Sequence, residues 1–106
     1  MIKVFIKHPG KLGFAANIKD ELKEMQELVG GYIETVMFTD NLIIVCNEEG
    51  RLIPLPKNMM GIHGTFFVVG TEGDEFRSLT DEEVMACELL INGGKHNGKM
   101  FGMRKE

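Results

Sequence analysis

The chain has 106 residues, 43% of them hydrophobic and 26% charged, a length that holds one modest core and leaves no room for a second domain. The composition sits close to globular averages, which argues against wholesale disorder. The net charge of −4 hides an asymmetry: residues 93–106 carry Lys95, Lys99, Arg104 and Lys105 against Glu106, so the rest of the chain stands at −7, a balance that disfavours binding to phosphate backbones and makes nucleic acid an unlikely partner.

In chain order, Ile2, Val4 and Ile6 alternate with Lys3, Phe5 and Lys7, the period-2 pattern of a strand with one face in the core, and Pro9-Gly10 ends it. The opening MIKVFIKHPG has no signal-peptide core, and no apolar run approaches the roughly 20 residues that span a bilayer, so a cytoplasmic protein is expected. Phe14, Ala16 and Ile18 suggest a brief second strand that hairpins with the first. From Lys19 to Val29, Leu22, Met25, Leu28 and Val29 fall at helical spacing with the acidic and basic residues turned outward. Gly30 or Gly31 should end that helix in the left-handed conformation. Tyr32, Ile33, Thr35, Val36 and Phe38 are the β-branched and aromatic types of a half-buried strand. The unbroken apolar run Leu42–Cys46 reads as a strand covered on both faces, near the sheet centre.

Asn47-Glu48-Glu49-Gly50 has the chemistry of a turn, so Arg51-Leu52-Ile53 is expected to return beside the Leu42 strand. Pro54 and Pro56 then bar central pairing, and residues 54–63 read as an irregular crossing. Thr65–Val69 is the next strong strand, and Phe76 begins a short return. Leu79-Thr80-Asp81-Glu82-Glu83-Val84 carries a capping box and a hydrophobic staple, opening a helix whose apolar face is Val84, Cys87, Leu90 and Ile91 and which stops at Asn92-Gly93-Gly94. The expected architecture is α+β: residues 1–92 as a single domain with one mostly antiparallel or mixed sheet of about 4–6 strands, two helices on one of its faces, and residues 93–106 as a flexible Gly- and Lys-containing tail.

Taken together, ELVGGYIETV, CNEEGRL with P-L-P-x-N, GTFFVVG and the SLTDEE helix start resemble the domain of unknown function 3846 family over roughly residues 1–92. The resemblance implies an α+β domain and a setting in mobile elements and phages of Gram-positive gut bacteria. It implies no activity and carries no catalytic residue across.

The chemical inventory is thin. Cys46 and Cys87 lack CxxC spacing and read as buried reduced thiols. His8, His63 and His96 have no partner at metal-ligand spacing, and no metal or other cofactor is expected. Glu48-Glu49 reads as a solvated hairpin tip rather than a catalytic pair, and phosphate loops, GxGxxG and HExxH motifs do not occur. Eight methionines are many for this length; Met59 and Met60 are expected to plug the core beneath the crossing, with adaptable surface contacts as the other reading. Glu34 is the acid set within an otherwise apolar strand, and it faces water if the sheet is open or needs a partner if it is covered.

These readings favour a non-enzymatic accessory protein of a mobile element that binds another protein or itself as a homodimer. The alternative is a small-molecule or nucleotide-binding domain, possible as an enzyme, with a pocket between the sheet and the Pro54–Asn58 loop. DNA mimicry is a weaker third, because −7 over this length is thin beside one charge per about 1.7 Å of duplex. The candidate binding residues are Tyr32, Glu34 and Val36 on the sheet, and Pro54, Pro56 and Asn58 in the crossing.

Overall fold

A computed structural model describes residues 1–50, 52, 55–96 and 99–100. Its elements are β1 (Ile2–Lys7), β2 (Phe14–Ile18), α1 (Leu22–Val29), β3 (Ile33–Thr39), β4 (Leu42–Asn47), β5 (Phe66–Glu72), β6 (Glu75–Arg77), α2 (Asp81–Asn92), β7 (Lys95–His96) and β8 (Lys99–Met100). The first six strands make one antiparallel sheet in the order β2-β1-β5-β4-β3, with β6 also on β5, while β7 and β8 pair with each other. The fold is therefore α+β, as expected. The strand at the centre is β5, with β4 beside it. One edge of β5 is shared: β1 pairs with Phe66–Val68 and β6 with Gly70–Glu72. Where β1 leaves that edge, Leu79 N–H donates to the Lys3 carbonyl (2.9 Å) and Lys3 N–H to Ser78 Oγ (2.9 Å), which stitches the chain start to the approach of α2.

The helices lie on opposite faces, a correction to the expectation of one shared face. Met25 and Val29 of α1 pack with Ile2, Val4, Ile6, Val45, Phe67 and Val69. Cys87 and Ile91 of α2 pack with Phe5, Leu42, Ile44, Cys46, Phe66 and Val68. The reason lies in the alternation itself. Successive residues of a strand point to opposite faces; in β4 and β5 both sets are apolar, and in β1 Phe5 is buried on the side opposite Ile2, Val4 and Ile6, so each face needs its own cover.

Both helices end as the sequence requires. α1 begins three residues later than expected, and Gly30 closes it at φ 83° with its N–H on the Gln26 carbonyl. Asn47, at the end of β4, donates Nδ2–H to the last carbonyl of α1, that of Val29 (3.2 Å), and a β-carbon on Gly31 would lie 2.7 Å from that nitrogen. At α2 the capping box is complete: Thr80 Oγ1 accepts from Glu83 N–H (3.1 Å) and Glu83 Oε1 from Thr80 N–H (2.9 Å). Arg77 of β6 grips the same carboxylate with both guanidinium arms, at 2.8 and 2.9 Å. At the far end of α2, Asn92 exchanges two hydrogen bonds with the backbone of Gly13.

The expected return strand over Arg51–Ile53 falls on residues 51 and 53, which lie outside the described residues; Leu52 between them sits in a turn and is exposed. The expected tail contains the short β7–β8 ladder, and residues 97, 98 and 101–106 lie outside the described residues.

Two predictions follow from the packing and the caps. Phe67→Ala, at a fully buried position, should cost about 3–5 kcal/mol in urea denaturation, whereas Met37→Ala, at an exposed one, should stay within about 0.5 kcal/mol of wild type. Hydrogen bonds from Arg77, helped by those of Thr80, hold the Glu83 carboxyl down at about 2, below its unfolded value. Such a group stabilises the fold above the unfolded pKa and loses that contribution as the pH falls toward the folded one. Glu83→Gln should therefore lower stability by about 1 kcal/mol at neutral pH, and its deficit against wild type should close between about pH 4.5 and about pH 2 in acid-dependent melts.

Candidate functional site

Seven residues, Ile-Glu-Thr-Val-Met-Phe-Thr, form β3, and their β-branched and aromatic character explains why they are extended. The strand lies at the edge of the sheet, paired on one side to β4; among the described residues no strand pairs with its other side. Glu34, Thr35, Val36 and Met37 are exposed in succession, so neither face of this stretch is fully covered. Glu34 lies opposite Cys46 and Val36 opposite Ile44, which puts both on the face that α2 covers farther along the sheet.

Hydrogen-bond alternation tells which backbone groups are unused. The Tyr32 carbonyl accepts from Glu48 N–H (2.9 Å), which makes Tyr32 and Glu48 a bonded pair, and in an antiparallel ladder such pairs recur at every second residue. Glu34 and Val36 therefore bond to β4. Asn41, whose carbonyl accepts from Thr71 N–H (3.1 Å), gives the same phase from the other side of β4. The amides and carbonyls of Ile33, Thr35 and Met37 point outward. A register shift between Met37 and Thr39 ends the regular edge.

Beside this edge, on the Glu34–Val36 face, a groove of about 440 Å³ runs between the β3–β4 hairpin and the loop at residues 60–63. Ile44 and Cys46 form its floor, Val36 and Glu34 one side, and Met60, Ile62 and His63 the other. Asn58 supplies much of the loop's side-chain hydrogen bonding. Asn58 donates to the carbonyls of Lys7 (3.0 Å) and Gly64 (2.9 Å) and accepts from Met59 N–H (2.8 Å) and Lys7 Nζ (3.2 Å). Backbone bonds from Asn58 N–H to the Ile62 carbonyl and from Gly64 N–H to the Pro56 carbonyl, both 2.7 Å, close it. Met60 and Gly61 turn its tip with positive φ, which a bulky residue such as Met adopts at a cost. Met59 packs on the second core from beneath, while Met60 is partly exposed at the groove wall, so the expected plug is made by Met59 and Ile62 rather than by both methionines.

Of the sequence-derived candidates, the groove brings together Glu34 and Val36. Tyr32 lies elsewhere, at a smaller hollow of about 240 Å³ with Gln26, Gly30, Gly31, Asn47 and Glu49. Asn58 is occupied as the bracket of the loop, Pro56 is exposed with its carbonyl taken by Gly64, and Pro54 lies outside the described residues. Sequence reasoning missed Ile44, Cys46, Ile62 and His63 as lining residues. The isolated Glu34 in an apolar strand was the available signal for this face.

Chemically the groove has an apolar floor, with the Glu34 carboxylate on one side. Burial, with the charge of Glu34 added, pushes the Cys46 thiol up, so it stays protonated and behaves as part of an apolar floor. Cys87, on α2, is pushed up to about 12 by burial first and by Glu83 second, and lies in the core. Among the described residues no three His, Cys, Asp or Glu side chains converge as a metal site would require, and no helix is long and apolar enough to cross a membrane. Asn58→Ala should remove four hydrogen bonds at the loop and leave buried carbonyls unmet, lowering stability by about 1–3 kcal/mol in thermal melts. The Met59 and Gly64 amides should lose hydrogen-exchange protection before the rest of the sheet does.

Residues 2–91 match the family described as Domain of unknown function (DUF3846). No curated protein and no solved structure matches the chain. The matched span runs from the first residue of β1 to the last turn of α2 and so takes in both cores, the β3 edge and the groove. This chain belongs to the domain of unknown function 3846 family.

Proposed function

We propose that this protein is a non-enzymatic accessory protein of a mobile element that works by binding another protein, taking an extended segment of its partner as an added strand on β3. The observation that carries the reading is the free edge of β3, with the backbone groups of Ile33, Thr35 and Met37 directed outward. Edge strands in monomeric proteins are commonly blunted by Lys or Pro, and β3 has neither along its seven residues. Strand addition draws affinity from main-chain bonds and selectivity from pockets that take alternate side chains. The groove opens on the same face of β3, with Glu34 and Val36 on its near side.

Two other occupants have support. A groove of about 440 Å³ is within the size range of small-molecule sites, which favours the ligand-binding reading. A second copy could pair its β3 about Val36, setting Glu34 opposite Phe38 rather than opposite another carboxylate.

Thr35→Pro separates these cases. The Thr35 amide points away from β4, so proline there spares the β3–β4 ladder and removes a donor that an added strand needs. Random peptides displayed against the immobilised protein should be enriched by wild type and not by Thr35→Pro at an unchanged melting temperature. Enrichment that survives the proline would place the ligand elsewhere. A metabolite that raises the melting temperature of both proteins equally would favour the small-molecule reading.

A further inference from the structure

We infer that the segment received by β3 presents a basic side chain across from Glu34 and an apolar side chain, at the second residue along, across from Val36. This rests on the strand-addition reading above. An added strand lies about 4.8 Å from its neighbour, and its alternate side chains fall on alternate faces of the sheet. The residues facing Glu34 and Val36 share the groove face; the residue between them faces Thr35 on the other side.

What those two positions meet differs in kind. Across from Val36 the incoming side chain lies beside Val36, at the near side of a groove whose floor and far wall include Ile44, Met60 and Ile62. Across from Glu34 it meets an exposed carboxylate, with that of Glu48 on the same lining. Among the described residues that line the groove none is Lys or Arg. The negative field extends into the floor, where Glu34 adds to the upward push on the Cys46 thiol. It also agrees with the −7 carried by the chain outside residues 93–106. Opposite charges directly across two strands attract and like charges repel, so the pair sets both register and choice of partner. An acidic segment would meet repulsion here even with every backbone bond available.

The test uses random peptides selected on the full chain, followed by fluorescence anisotropy of the best peptide and of its Lys→Glu form against wild type and Glu34→Lys. Glu34 is exposed, so the charge reversal should leave the melting temperature unchanged. Selected peptides should carry Lys or Arg at the second position from an aliphatic or aromatic residue. Glu34→Lys should weaken the basic peptide by about tenfold, an effect that shrinks with added salt, and should restore binding of the Lys→Glu peptide. Enriched peptides without a basic residue at that spacing, or a dissociation constant unmoved by Glu34→Lys, would overturn this inference and leave strand addition standing. No enrichment on wild type, or enrichment untouched by Thr35→Pro, would overturn strand addition and this inference with it. A dimer that grows with concentration and that no selected peptide displaces would assign the edge to a second copy and overturn both.

Discussion

Burial of β5 on both of its faces is the constraint from which the rest of the structure follows. Phe66, Phe67, Val68 and Val69 are all fully buried and point alternately to the two sides. A side chain of this kind contributes about 1.5–3 kcal/mol when taken from water, and a whole domain retains only about 5–15 kcal/mol net. Neither face of β5 can be left wet. One face is met by α1 and the other by α2, while β1 and β4 flank the strand and extend both layers. At Gly70, the next residue, a β-carbon would run into the guanidinium of Arg77, the arginine that grips Glu83 at the start of α2. The central strand thus sets both where the second helix lies and where it begins.

Much of this was legible in local sequence, because local rules decide it. The Thr80–Glu83 cap, the left-handed Gly30 and the paired β1–β2 strands depend on residues a few positions apart, and all are present as read. The side on which each helix lands is a different matter. Period-2 alternation in β1 assigned Ile2, Val4 and Ile6 to a core, but Phe5 on the other face is just as buried. Recognising that Phe5 shares a second apolar face with β4 and β5 requires knowing that these strands are neighbours, and that knowledge is long-range. The same limit applies to β3, whose composition suits a half-buried strand while its edge position leaves Glu34, Thr35, Val36 and Met37 in water.

The groove was still harder to read. Its loop is placed by Asn58 reaching across 51 residues of sequence to Lys7, and no spacing rule connects the two. Proline marks residues 54–63 as an irregular crossing and places the expected pocket at its Pro54–Asn58 part, whereas the residues that face the hairpin lie at 60–63. Asn58 is a polar loop residue of the kind that binding sites use. Here its hydrogen-bonding capacity is spent on backbone and on Lys7, whose ammonium is itself discouraged by burial from carrying charge.

The bond pair between Asn92 and Gly13 spans 79 residues, and β1 pairs with β5 across a comparable length. Topologies dominated by such distant pairings have high contact order and fold slowly, since loop-closure entropy must be met before the contacts return anything. β1 can pair with β5, and Asn92 with Gly13, only once the long stretches between them have been made. The hairpin of β3 and β4 closes through a short turn and has no such delay. The hairpin that carries the free edge of β3 is therefore local in sequence, as is the β1–β2 hairpin, while the β1–β5 pairing that joins them into one sheet depends on residues far apart in the chain.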